Sequence, residues 1–282
     1  MKFGANTFIW FSPVTVDDIK SAAPAMARGG FDIIELPLEA VDGFDYDEAA
    51  AIIKDNGLDV STCAVVTEDR DLIHKDAAIR ENGKAYIRHC IEATQTLGGT
   101  NLVGPIYSAV GRTWQMTDDE RARDTDLLVE QLKELSPYAA DHGVVMGLEP
   151  LNRFETSFIN LASQAIEVID RVDNPACKIM LDTFHMNIEE KSLGDAIRAT
   201  GPRLVQLHSC ENDRGAPGSG NVDWDGVAQA LKDINFDGPV VIESFTTTVE
   251  TIARAAAIWR PLGRTQDAIA YDGLAFLKKL LA

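Results

Sequence analysis

The chain has 282 residues, 45% hydrophobic and 25% charged, proportions ordinary for a protein with a packed core, and its formal net charge is −18. So acidic a surface repels nucleic acid and anionic lipid, which are bound by clustered Lys and Arg; a neutral or cationic partner, or a metal, suits it better. No window approaches the roughly 18 to 20 apolar residues that span a bilayer, and MKFGANTFIWFSP has no long apolar core, so a cytoplasmic protein without membrane contact is expected. The four cysteines, Cys63, Cys90, Cys177 and Cys210, make no CxxC pair or zinc spacing and are expected as reduced, buried thiols.

In chain order, strand-like apolar runs cover Phe3 to Trp10, Phe31 to Leu36, Leu58 to Val66 and Thr100 to Ile106, then Val144 to Leu148, Lys178 to Leu181, Leu204 to Leu207 and Val240 to Ile242. Amphipathic segments fill the intervals: Val16 to Arg28, Asp47 to Asn56, Ala77 to Leu97 and Asp118 to Asp141, then Leu161 to Val172, Leu193 to Ala199, Trp224 to Ile234 and Val249 to Trp259. Thr117 followed by Glu120 fits a capping box, and Gly29-Gly30, Gly57, Gly98-Gly99, Gly143 and Gly201-Pro202 fit helix stops. Strict strand–helix alternation predicts a parallel sheet. Eight units in this length, with no GxGxxG after the first strand, favour a closed (β/α)8 TIM barrel over an open doubly wound sheet. No linker or repeat interrupts the chain, so one domain over residues 1–282 is expected, with an extra helix, Gln266 to Leu281, over the barrel bottom or a partner subunit.

Barrel enzymes place their chemistry at the C-terminal rim of the strands. Strands five to eight end in Glu149 (MGLEPLNRFE), Asp182 (IMLDTFH), His208 (VQLHSCEND) and Glu243 (VVIESF), each after an apolar run. In KIMLDTFHMNIEE taken alone, Asp182 and His185 serve equally well as ligands or as a helix cap and a turn filler. Four successive polar strand ends are harder to assign to packing. Three carboxylates at one rim repel one another unless protons or a cation compensate them. Three oxygen donors and one imidazole suit Mn²⁺, with Mg²⁺ or Co²⁺ as alternatives, better than a structural zinc. No organic cofactor is called for.

LNRFE (Leu151 to Glu155), MLDTFHMNIEE (Met180 to Glu190), GDAIR (Gly194 to Arg198) and His208 with Arg214 six residues on closely resemble the ketose 3-epimerases of the xylose isomerase-like barrels. The likeness runs from the first strand through FDIIELPL and Ile106-Tyr107-Ser108 to Trp259-Arg260. It implies C3 epimerisation of free ketoses of the D-tagatose, D-fructose/D-allulose or L-ribulose type. It also implies a metal held by Glu149, Asp182, His208 and Glu243, with Glu149 and Glu243 as the acid/base pair, and Glu155, His185 and Arg214 on the substrate oxygens. Inverting C3 next to a ketone removes a proton from one face and returns one to the other through an enediolate, which needs two bases and a cation. Donors such as Arg214 and neutral or cationic His185 stabilise such an oxyanion by roughly 3 to 4 kcal/mol each.

Gly215, Gly218 and Gly220 predict a flexible rim loop carrying Arg214 inward, with a solvent turn as the alternative. Because Arg214 is not one of the ligands, its loss is expected to spare metal affinity. Asn6, Trp10, Glu35, Tyr107 and Trp114 are candidate pocket walls, as are Phe8 and Phe11; Glu35 can pair with Arg214, touch substrate or form a structural ion pair. Related barrels leave other activities open: a hydroxypyruvate or aldose-ketose isomerase, or an inosose dehydratase. An abasic-site endonuclease fits poorly with five histidines and the −18 charge. A sugar-binding barrel would not need both Glu149 and Glu243. A homodimer or homotetramer acting on a small ketose is expected.

Overall fold

In the computed structural model, which describes residues 1–39 and 43–281, eight parallel strands close into a barrel. They are β1 (Lys2–Asn6), β2 (Ile33–Pro37), β3 (Asp59–Cys63), β4 (Asn101–Gly104), β5 (Val145–Leu148), β6 (Cys177–Asp182), β7 (Leu204–Ser209) and β8 (Pro239–Ile242). Each pairs with its sequence neighbour, and β8 pairs back onto β1 through Phe3 and Val240. These strands read as unbroken apolar runs because barrel strands are covered on both faces, inside by one another and outside by helices.

The outer ring begins with α1 (Val16–Gly29), α2 (Tyr46–Asp55), α3 (Ala77–Thr96), α4 (Asp118–Asp141) and α5 (Ala162–Val172). The expected capping box at α4 is present: Glu120 N donates to Thr117 Oγ1 at 3.2 Å, and Glu120 returns the bond to Thr117 N at 2.8 Å. Two helices follow β6 where one was expected, α6 (Thr183–Glu189) and α7 (Leu193–Thr200). The ring continues with α8 (Trp224–Asp233), the short α9 (Glu250–Ala255) and α10 (Gln266–Leu280). The helix expected from Val249 to Trp259 thus shrinks to a six-residue turn. The C-terminal α10 lies along β1, β8 and α8 rather than under the barrel. Phe31 and Tyr271 pack there with ring centroids 5.6 Å apart.

One backbone position at the rim is fixed by sterics. Gly104 ends β4 at φ +119, a Cβ there would meet the Ala64 carbonyl oxygen at 2.4 Å, and the Gly104 carbonyl accepts the Glu149 N–H at 3.2 Å. Gly98 is also left-handed, at φ +78, yet a Cβ there meets nothing within 4 Å. Gly104→Ala is therefore expected to cost about 2 to 4 kcal/mol, clash and strain together, whereas Gly98→Ala costs about 1. Urea unfolding of the two variants measures the difference, and equal midpoints would refute it.

Candidate metal centre and active site

The four strand ends converge. One ligand atom from each of Glu149, Asp182, His208 and Glu243 lies within 4.8 Å of the others, and all four residues are buried. Asp182 caps α6 and is also placed for the ligand role: Oδ1 accepts the Phe184 N–H at 2.7 Å, while Oδ2 faces the cluster, 2.5 Å from Arg214 Nη1. His185, on the first turn of α6, is drawn into the same space. Its Nδ1 accepts the Asn152 backbone N–H at 3.0 Å, and its Nε2 stands 3.0 Å from Arg214 Nη2 and 3.5 Å from Glu149 Oε1.

Arg214 is the main compensating charge in the described structure. Its Nη1 bridges Asp182 Oδ2 and, at 2.8 Å, Glu243 Oε2, and its guanidinium sits between the rings of Phe184 (4.2 Å) and Phe245 (4.9 Å). Arg214 is not one of the four candidate ligands, but it is paired with two of them, Asp182 and Glu243, so it is not independent of the cluster. Its backbone is left-handed at φ +68, rare for a residue with a side chain, and Ser244 Oγ holds its carbonyl. The glycine-bearing loop is also less free than expected. Glu211, fully buried, accepts Gly218 N at 2.8 Å and Trp224 Nε1 at 2.6 Å on one oxygen, and Val222 N at 3.2 Å on the other. That carboxylate ties down the segment that delivers Arg214.

Burial and these charges split the titration of the cluster. Burial, reinforced by Glu243 and Asp182, lifts the Glu149 carboxyl well above the usual range. Burial would lift Glu243 too, but the charges of His208 and Arg214 outweigh it and hold Glu243 below its ordinary value. The direction follows from position, since Glu243 Oε2 lies 2.8 Å from Arg214 and 3.5 Å from His208 Nδ1. Burial also lifts Asp182, with Arg214 offsetting part of the rise. Burial and then Arg214 push His185 well below its usual value, so it is a neutral imidazole rather than a cation.

The residues fit a divalent cation. Glu149 Oε1 and both ring nitrogens of His208 are buried without an aligned hydrogen-bond partner, an expensive condition unless something else binds there. Charged together, the three carboxylates outnumber Arg214 and His208, and the oxygen-rich donor set suits a hard or borderline ion.

The xylose isomerase-like TIM barrel family matches residues 24–280. The L-ribulose 3-epimerase of Methylomonas sp. (strain DH-1) is 30% identical over 283 residues, covering 99% of this chain and 97% of that protein. The D-psicose 3-epimerase of Agrobacterium fabrum is 35% identical over 250 residues, 88% of this chain and 86% of that one. The solved D-allulose 3-epimerase from Methylomonas sp. in complex with D-allulose superposes with a TM-score of 0.92 at 30% identity, covering 99% and 96% of the two chains. The chain belongs to the ketose 3-epimerase family. It is an isomerase-class enzyme, and no helix among its described residues is long and apolar enough to cross a membrane.

The expected pocket walls are spread over the floor, the rim and the flank of the barrel. Trp10 leans on α10, its Nε1 donating to Asp267 at 2.9 Å. Tyr107 is wholly buried close to the site: its hydroxyl lies 3.3 Å from the Ile159 carbonyl, and burial, then the charges of Glu149 and Glu155, push its phenol well up. Phe11 lines a separate cavity with α1 and α10 residues. Asn6 is floor rather than wall: its amide donates to Glu35 Oε1 at 2.8 Å and approaches Cys63 Sγ at 3.2 Å. Glu35 sits inside β2 rather than at its end and pairs with His208, not Arg214. Trp114 stands on the rim, 56% exposed, with Arg112 over its ring at 4.7 Å, lining a cleft of about 1080 Å³ between the loops after β3 and β4. Phe8 stays near the mouth, its ring 5.9 Å from that of Phe245. Glu155 is joined to His185 through Asn152, whose Nδ2 reaches Glu155 Oε1 at 2.8 Å and His185 Nδ1 at 2.9 Å. Asn152 and Glu211 escaped the sequence reading; each is a polar residue closely following a rim residue, a signal any surface loop also gives. All four cysteines are free and buried.

A carboxyl whose folded pKa exceeds its ordinary value holds its proton more tightly when folded, so its contribution to stability falls as pH rises from about 4.5 towards the folded value. Glu149 is such a carboxyl in the metal-free cluster. Glu149→Gln is accordingly expected to raise the Tm of the EDTA-treated epimerase by a few degrees, with a larger gain at pH 8 than at pH 5. Calorimetry at both pH values checks it; a gain that shrinks with rising pH would reverse the assigned direction.

Proposed function

We propose that the protein interconverts free ketoses at C3, on substrates of the D-tagatose, D-fructose/D-allulose or L-ribulose type, with Glu149 and Glu243 as the acid/base pair. The observation that carries this reading is the convergence of two carboxyls from separate strands, Glu149 and Glu243, in one buried cluster; without metal, burial lifts Glu149 while His208 and Arg214 outweigh burial and hold Glu243 down. Epimerisation through an enediolate calls for one group that takes a proton and one that already holds it, and environments that push two carboxyls apart provide both. The charged carboxylate takes the C3 proton, leaving the electron pair delocalised over C3, C2 and the C2 oxygen; the protonated one returns a proton to the opposite face, and the roles exchange for the reverse reaction.

Glu149, Asp182, His208 and Glu243 would hold a divalent cation, Mn²⁺ for preference, which when bound supplies Lewis-acid polarisation of the ketose carbonyl. Neutral His185 and Arg214 donate to the developing oxyanion, and Glu155, set by Asn152, accepts from a sugar hydroxyl. Phe184 and Phe245, which sandwich Arg214, exclude water beside it. The names of the matching relatives support a ketose as substrate. We place the enzyme in the cytoplasm as a single barrel domain. For the expected homodimer or homotetramer, the exposed apolar side chains Phe154 and Trp114, on neighbouring rim loops, are the surface that favours it.

EDTA-stripped protein incubated with D-fructose, D-tagatose and L-ribulose, with and without Mn²⁺, is expected to form the C3 epimers only with metal. Full activity without metal, or aldose products, would overturn the reading in favour of the isomerase alternative. Glu149→Gln and Glu243→Gln are each expected to lose about three orders of magnitude in turnover and to abolish C3 proton exchange with D₂O for the substrate face they serve.

Arg214→Ala is expected to lower kcat/KM by about 100-fold or more and, because Arg214 occupies Asp182 and Glu243, to tighten rather than spare Mn²⁺ binding, by roughly tenfold. Arg214→Lys should restore part of kcat/KM only, since a point charge does not reproduce the planar fork. Steady-state kinetics with a metal titration separate the two effects; unchanged kcat/KM would remove Arg214 from the site.

A further inference from the structure

Beneath the cluster, the barrel interior is crossed by polar side chains where branched apolar ones usually pack. Asn6 of β1, Glu35 of β2, Ser61 of β3, Asn101 of β4 and Gln206 of β7 are all buried, and Glu35 is 0% exposed. Glu35 is their centre. Its Oε1 accepts from Asn6 Nδ2 at 2.8 Å and lies 2.8 Å from His208 Nε2. Its Oε2 accepts from Gln206 Nε2 and from Ser61 Oγ at 2.8 Å. Ser61 Oγ also lies 2.9 Å from Gln206 Oε1, but that oxygen has a second donor in Asn101 Nδ2 at 3.4 Å, which frees the hydroxyl proton for Glu35.

Every partner that can be assigned from atom type donates to Glu35. The amides of Asn6 and Gln206 present N–H groups, so Glu35 is constrained to accept, and the remaining neighbour, His208 Nε2, completes the set only as N–H. The approach is oblique to the imidazole N–H at present, but no acceptor competes with Glu35 for that proton among the described residues. A ligand imidazole is neutral, and one whose single proton sits on Nε2 carries its lone pair on Nδ1, the nitrogen that faces the cluster, 3.5 Å from Glu243 Oε2. Without metal, burial is outweighed by Glu35 and Glu243, which lift His208 well above its ordinary value, so the Nδ1 proton is the one a cation would displace.

We propose that Glu35 is a positioning residue for the metal centre: it holds His208 in the Nε2–H tautomer and fixes the ring so that the Nδ1 lone pair is presented to the cation. The assignment rests on the proposal that the four-residue cluster binds a divalent metal. It gives a role to a carboxylate that touches neither Arg214 nor the rim. It also gives the polar layer a purpose: Asn6, Ser61 and Gln206 hold Glu35 in place, so the orientation of one ligand is set by four strands. In Glu35→Gln the side chain keeps its size but loses its charge, and whichever way the amide turns one of its polar atoms becomes a donor facing donors, so the acceptor that selects the His208 tautomer is weakened or misplaced.

The test uses EDTA-stripped wild type, Glu35→Gln and Glu35→Asp, with Mn²⁺ binding measured by titration calorimetry and the visible absorption of the Co²⁺-loaded proteins as a coordination signature. Glu35→Gln is expected to weaken Mn²⁺ binding by about 10- to 100-fold and to shift the Co²⁺ bands, and Glu35→Asp, which restores the acceptor at a shorter reach, to recover part of both. Ser61→Ala, which removes a Glu35 partner without touching His208, is expected to weaken binding less than Glu35→Gln does. Binding within twofold of wild type and unchanged Co²⁺ bands in Glu35→Gln would overturn the proposal. If Glu35→Gln does not fold, the Mg²⁺-loaded wild type decides by ¹⁵N-resolved NMR of His208: a proton on Nε2 supports the assignment and a proton on Nδ1 refutes it. Wild type that binds no Mn²⁺ would sink the metal reading itself, which separates that failure from failure of the role given to Glu35.

Discussion

Three carboxylates share one buried space at the mouth of the barrel, and most of the surrounding polar structure answers that fact. Two like charges 4 Å apart at an effective dielectric of 20 repel by about 4 kcal/mol, so Glu149, Asp182 and Glu243 cannot all be charged and uncompensated there. The described residues relieve the repulsion in three ways: burial that raises Glu149 and so favours its protonated form, Arg214 laid across Asp182 and Glu243, and His208 set between Glu243 and Glu35. Arg214 reaches its position only by adopting a left-handed backbone, and the segment carrying it is tied down by a second buried carboxylate, Glu211. Electrostatic demand at the centre thus extends outward into the loop after β7.

This constraint also explains what the sequence makes legible. Strands covered on both faces are written as apolar runs, and a residue that must leave the apolar interior to meet the cluster ends the run; Glu149, Asp182, His208 and Glu243 stand out for that reason. Residues whose partners depend on the path of a loop are not written so plainly. Arg214 is visible as a cation near a strand end, but its pairing with two of the predicted ligands follows from a turn that a glycine pattern describes only as loose. Glu35 lies within β2, where period-two alternation gives the side it faces but not the neighbour it meets 171 residues away in Gln206 or across the barrel in His208.

The misread helices have a related cause. The short α6 begins at the residue that is also expected as a ligand, and a helix of seven residues leaves too little periodicity to be seen. Asp182 can do both because a carboxylate has two oxygens, one for the Phe184 N–H and one for the cluster. At the other end, the apolar pattern from Val249 onward reads as a full helix, but the segment packing along β1 and β8 is α10; a pattern shows that a face is buried, not which strands it is buried against.

The polar layer under the site shows where stability and orientation part. An apolar layer would fill the barrel as well, and each buried amide or hydroxyl adds about 1 to 3 kcal/mol of risk if its hydrogen bond is lost. Here Asn6, Ser61 and Gln206 are bonded to one acceptor, so that risk is largely met inside the fold. The net gain in stability from such exchanged hydrogen bonds is small. What the layer does supply is direction: a carboxylate anchored by three strands stands 2.8 Å from His208 Nε2 and leaves Nδ1 towards the rim, whereas an apolar floor would offer His208 no acceptor. Glu35 beside His208 thus parallels Glu211 under the Arg214 loop: in both places a buried carboxylate, bonded to several strands or turns, stands behind a side chain of the charged site.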